Sequence, residues 1–233
     1  MSSLGPVDYA LLIADLSIEV CALAILLKKR ALSQHFTLVL FLCASIAVGI
    51  GRYAVLASDG FTSTTYLYFY FFSDALLIIS LYFVLMSLYV HVFADMNAGK
   101  MVRAGAVLLL AATALISYYM VATSEDRLVT KFVMEMSQNL YFVGVVLTYV
   151  LWGAMMKLHE NRSRTMQLVL SMGVYFSAFA GSFALGNLYP DLVIWRYVSH
   201  LMVTWLPISW AYTFVKVSED ARVATARVVA PTQ

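Results

Sequence analysis

Eight ionisable or amide side chains stand inside apolar surroundings, and they set the chemistry open to this chain: Asp15, Glu19, Arg52, Asp74, Glu135, Asn139, Arg196 and His200. The stretch Thr64 to Phe93, for instance, has Asp74 as its one residue among Asp, Glu, Lys and Arg. A carboxylate or guanidinium in such a setting is costly in hydrocarbon, so it should face protein and take a partner. Asp15 and Glu19, four residues apart, fall one turn apart on one helix face. Opposite charges at matching depth suggest Arg52 with Asp74 or Asp15, and Arg196 with Glu135. Two bases do not neutralise four acids, so some carboxylates are left to be protonated, hydrated or bound by a ligand. That surplus points to the binding of a small ligand or ion, with these eight residues as the expected ligand-binding set.

Other chemistries have less behind them. Ser182 and His200 fall at similar depth and suggest a serine-histidine dyad, but no nucleophile elbow accompanies them. A serine within Ala-Gly-Ser-Phe-Ala reads as a helix-packing contact, and no catalytic residue is assigned. His35, His91 and His159 have no ligand spacing, so no metal site is expected and no cofactor is specified. Cys21 and Cys43 lie in apolar runs and read as inert core thiols. Gly49, Gly51, Ala180 and Gly181 are expected to permit close helix approach, and Pro207 to kink its helix.

These residues need long apolar helices to hold them. Of 233 residues, 62% are hydrophobic and 12% charged, which excludes an ordinary soluble domain, and no basic tract suits nucleic acid. Apolar windows predict an all-α, polytopic membrane protein, a seven-transmembrane-helix bundle with spans near 9–27, 36–56, 64–93, 104–123, 132–156, 166–188 and 193–214. The bundle domain is read as residues 1–216, followed by a short polar tail, 217–233. The opening residues, MSSLGPVD, lack the basic segment of a cleaved signal, so the first apolar run is expected to remain as a span.

Lys28, Lys29, Arg30, Lys100, Arg103, Lys157, Arg162, Arg164, Lys216, Arg222 and Arg227 fall on one side, against Arg127, Lys131 and Arg196 on the other. By the positive-inside rule the first group is cytoplasmic, which puts the N-terminus outside and the C-terminus cytoplasmic. Arg52, Asp74, Ser182 and His200 then lie about 25 Å from the inner end of their helices at helical rise. Asp15 and Glu19 lie one to two turns deeper, and Glu135 and Arg196 about a turn further out. The inner half, such as Leu77 to Leu88, is apolar by comparison.

A lysine in the middle of the seventh span, which a retinal protein needs, is missing. So are the Asp-Arg-Tyr and Asn-Pro-x-x-Tyr motifs of eukaryotic seven-helix receptors. The sequence therefore predicts an integral membrane sensor or binding module with a polar pocket in the outer half of the bundle, in a cell membrane of bacterial inner-membrane type. Its expected partners are the lipid bilayer, a small ligand or ion from the outer side, and a membrane or cytoplasmic protein; nucleic acid is not among them. Two alternatives stand beside it. Surplus carboxylates also suit a small-solute or proton-coupled transporter, and a helix rich in Tyr and Phe suits a non-catalytic subunit of a larger membrane complex.

Overall fold

The computed structural model describes residues 6–29, 31–60, 63–93, 99–122, 128–157, 163–189 and 194–217. Among these are seven long helices and one single-turn helix: α1 (Pro6–Lys28), α2 (Ala31–Gln34), α3 (Phe36–Asp59), α4 (Thr64–Val92), α5 (Gly99–Ala122), α6 (Leu128–Lys157), α7 (Ser163–Leu188) and α8 (Ile194–Lys216). Hydrophobicity is spread around α1 and α4 instead of lying on one face, the pattern of a helix with apolar surroundings on every side. Stretches in α3, α4, α6 and α7 are long and apolar enough to cross a membrane. Ser63 caps the start of α4, its hydroxyl accepting a hydrogen bond from the Tyr66 N–H at 3.0 Å. Of the counted basic residues, Arg30, Arg127, Arg162, Arg222 and Arg227 lie outside the described residues.

The helices close on one another in the order α1, α3, α4, α6, α7, α8 and back to α1, with α5 packed against α4 and α6. Helix α4 touches α3, α5, α6 and α7 and is the central post of the assembly. Two ends can be distinguished. At the basic end, where α1 and α8 finish at Lys28 and Lys216, the interior is filled by large side chains, among them Leu26, Leu38, Tyr82, Leu85, Phe176, Trp210 and Phe214, all nearly inaccessible. At the opposite, polar end lie the ionisable residues of α1, α3 and α4.

The exterior is as apolar as the interior. Ile13, Ile50, Phe83, Leu108, Val146, Leu170 and Ile208, one from each long helix, are between 47% and 70% exposed. A soluble fold rarely leaves apolar chains uncovered on every side, whereas lipid would cover them without penalty.

A one-turn helix, α2, stands between α1 and α3, where the apolar windows predict only a polar break. It ends where the His35 N–H reaches the Ala31 carbonyl at 2.7 Å, which turns the His35 ring inward against Phe214 and His91. Both cysteines are free and exposed, on the outside of their helices and not in the core as expected. Gly181 meets no atom that an added Cβ would touch, so close helix approach is not its role, whereas Gly51 lies against Phe69 of α4.

The few polar contacts in the apolar half are specific. The Trp210 Nε1–H donates to Ser171 Oγ at 3.1 Å, tying α8 to α7, and the Tyr89 hydroxyl donates to the Leu147 carbonyl at 2.6 Å, tying α4 to α6. Ser171→Ala strands a fully buried indole N–H and is expected to lower stability by about 1–2 kcal/mol. Thermal unfolding in detergent measures this, and an unchanged midpoint would show that the indole finds another acceptor.

Candidate polar site between the helices

At the polar end the hydroxyl groups are the immediate partners of the acids. Helix α1 lies between α3 and α8, and its two carboxylates divide between them. Ser45 Oγ of α3 donates to Glu19 Oε1 at 2.6 Å, and Glu19 is only 7% exposed. Thr204 Oγ1 of α8 donates to Asp15 Oδ1 at 2.5 Å. One helix turn covers 3.6 residues, so a step of four turns the direction by about 40°. That rotation lets the pair serve two neighbours while staying close enough to repel one another.

Arg52 of α3 is the cationic hub. Its Nε donates to Ser73 Oγ at 2.9 Å and its Nη2 to the Tyr70 carbonyl at 3.3 Å, while the guanidinium lies 4.3 Å from the Tyr70 ring centre. It is therefore anchored on neutral groups of α4, and the expected direct ion pair with Asp74 or Asp15 is replaced by a looser coupling. Electrostatically it reaches Glu19, Asp74, Tyr66 and Tyr175 as well as Tyr70. Cation–π stacking of this kind contributes on the order of 0.5–2 kcal/mol and fixes the plane of the guanidinium.

Asp74 belongs to a second lobe, between α4, α6 and α7. It acts electrostatically on Tyr70, Tyr141 and Tyr175. Ser137 of α6 lies beside its carboxylate, yet Ser137 Oγ is buried without a completed hydrogen bond. The Tyr141 and Tyr175 hydroxyls lie close enough to influence one another. Tyr141 also stacks on Phe179 with ring centres 4.8 Å apart and planes 9° from parallel, closing this lobe on the α7 side with a rigid aromatic wall.

The structure thus brings Asp15, Glu19, Arg52 and Asp74 into one electrostatically connected group on three helices, completed by Thr204 of α8. It does not bring in Asn139 directly: its Nδ2 donates to Ser117 Oγ at 3.0 Å, a link from α6 to α5. Glu135 is half-buried on α6, and the side chains of its expected partner Arg196 and of His200 lie outside the described residues. Ser182 donates to the Ala178 carbonyl at 2.7 Å, the usual bond of a helical serine to its own preceding turn, and is not held as a nucleophile. His35 and His91 sit at the basic end with ring centres 5.9 Å apart, and His159 lies outside the described residues. Among the described residues no group of three or more His, Cys, Asp or Glu is arranged to hold a metal.

Sequence reasoning passed over the hydroxyl partners Ser45, Ser73, Ser137 and Thr204 and the Tyr70, Tyr141 and Tyr175 phenols. Depth matching applied to hydroxyl groups as well as charges would have found Thr204, one turn below His200, and Ser73 beside Asp74. Comparison with protein-family models, with curated proteins and with solved structures gives no match to this chain.

Proposed function

We propose that this protein is a seven-span membrane binding module, with its N-terminus outside and its C-terminus cytoplasmic, that takes up a small ligand or ion from the outer side between α1, α3, α4 and α8. One observation carries the reading. Glu19 is partnered by the hydroxyl of Ser45, and Arg52, the one guanidinium of the cluster among the described residues, hydrogen-bonds to Ser73 and Tyr70. Hydroxyl donors orient a carboxylate but cancel none of its charge. Among the described residues, Glu19 and Asp74 share the one guanidinium that reaches both, which leaves a net negative region that a cationic ligand or protons would balance. Serine and threonine oxygens beside carboxylates are also the donor set that suits small hard cations and ammonium groups.

The plug at the basic end favours sensing over transport. Leu26, Leu38, Leu42, Leu85, Leu88, Phe176, Trp210 and Phe214 fill the space below the cluster, so a polar solute entering from above meets a dry, close-packed layer. A signal can pass that layer as a shift of packed helices, reaching a partner on the cytoplasmic face.

Thermal stability of the purified protein against a panel of monovalent cations and small amines tests this. A ligand at about a hundred times its dissociation constant should raise the midpoint by roughly 5–10 °C, and Glu19→Gln and Asp15→Asn should each abolish the rise. A panel without any saturable shift would remove the binding reading. Solute flux in proteoliposomes that Asp74→Asn abolishes would favour the transporter instead, and purification only as part of a stable hetero-complex would favour the subunit.

A further inference from the structure

On the outer surface of α1 and α8, toward the basic end, runs an apolar groove of about 450 Å³. It is lined by residues 17–25 of α1 and 207–216 of α8, the stretches that follow the Asp15–Thr204 contact on each helix. Small residues form the floor, Ala22 and Ala211, while Ile25, Ile208 and Val215 make the walls. Pro207 adds to the gap: lacking an N–H, it leaves the Val203 carbonyl without its helical donor and loosens this turn of α8. The Ser17 hydroxyl on the α1 side already donates to the Ile13 carbonyl at 2.7 Å, so apart from Tyr212 and Lys216 at the α8 side the groove offers a ligand mainly apolar contact.

Its lower end is different. Lys216 lines the groove and is exposed, and Lys28 and Lys29, also exposed, follow Ile25 by about one turn. No acid lies on α1 after Glu19 or on α8 between Thr204 and Lys216. The tail beyond Val217 has Glu219 and Asp220 against Arg222 and Arg227 and adds no net charge. A narrow apolar channel with cations at one end complements a molecule with an extended hydrocarbon chain and an anionic head.

We infer that the α1/α8 groove is a binding site for one anionic phospholipid of the inner leaflet, with an acyl chain between Ala22 and Ala211 and the phosphate on Lys216 and Lys28. This rests on the membrane reading and its orientation. A lipid there bridges α1 and α8, the two helices joined by Asp15 and Thr204, and so couples leaflet composition to the polar cluster.

The test uses the full chain in nanodiscs of equimolar phosphatidylglycerol and phosphatidylcholine, released into detergent for native mass spectrometry. The wild type should retain one phosphatidylglycerol in preference to phosphatidylcholine, and Lys216→Gln should cut that preference about fivefold. In a Cys43→Ser background, maleimide labelling of Cys21, which also lines the groove, should be slower with phosphatidylglycerol than with phosphatidylcholine, and the difference should shrink in Lys216→Gln. Equal retention of both lipids, or a preference that Lys216→Gln and Lys28→Gln leave intact, overturns the assignment. A Cys21–Cys21 cross-link between copies overturns it in favour of a second chain in the groove. Release of the protein from native membranes by alkaline carbonate would instead overturn the membrane reading itself, a result separable from loss of lipid selectivity in a protein that stays integrated.

Discussion

Gly144→Val is expected to abolish stable folding, and Gly144→Ala to lower stability by about 1–3 kcal/mol. A Cβ at position 144 would stand 2.7 Å from Phe176 Cγ and closer still to Cδ1 and Cε1 of the same ring. Phe176 is fully buried and packs at its edge against Tyr141 and Tyr175, so it has nowhere to swing. The gain in helix propensity on replacing glycine, up to about 1 kcal/mol, works in the opposite direction and is outweighed. Gly153 supplies the control on the same helix: no atom lies within 4 Å of an added Cβ, so Gly153→Ala should be neutral or stabilising by about 0.5–1 kcal/mol. Thermal midpoints in detergent compare the two, and Phe176→Leu should restore part of the loss in Gly144→Ala. Equal midpoints for the two alanine variants would mean that α6 and α7 are not packed at this distance.

Removing the cationic hub should show how the acids are held. Arg52→Leu deletes two hydrogen bonds and the stacking on Tyr70, and leaves Glu19 and Asp74 without the guanidinium that reaches both. A loss of roughly 1.5–3 kcal/mol is expected, at the lower part of that range because Arg52 is only half-buried. If the guanidinium acts by offsetting the charge of Asp74, Asp74→Asn will make its loss easier to bear. The double variant should then be more stable than the sum of the singles predicts by about 0.5–3 kcal/mol. Strict additivity would mean that Arg52 is a tie between α3 and α4 and nothing more, and the charge-balance account of the site would fall with it. Ser73→Ala separates the two roles, since it removes the Nε contact and leaves every formal charge in place.

Much of the architecture could be read from residue types alone. Apolar runs of about twenty residues between polar breaks give long helices, and the structure is all-helical among its described residues, with α3, α4, α6 and α7 apolar and long enough to cross a membrane. Which polar residues are out of place was equally plain, because Asp15, Glu19, Arg52 and Asp74 interrupt those runs. The apolar half between Leu77 and Leu88 likewise follows from composition, and Ile78, Leu81, Tyr82, Val84, Leu85 and Leu88 are buried.

Partners were a different matter. Helices that are apolar on all sides give no amphipathic stripe to fix their rotation, so the sequence could place a side chain in depth but not in direction. Packing decided that Asp15 meets Thr204, 189 residues away, that Glu19 turns instead to Ser45, and that Arg52 binds Ser73 and not the neighbouring carboxylate. It also decided which glycine matters: Gly144, where a buried ring fills the space of the missing side chain, and not Gly181, which meets nothing. Residue types fix how much charge must be hidden and at what depth, whereas the direction in which each helix turns it depends on side chains far along the chain, and only their packing settles that.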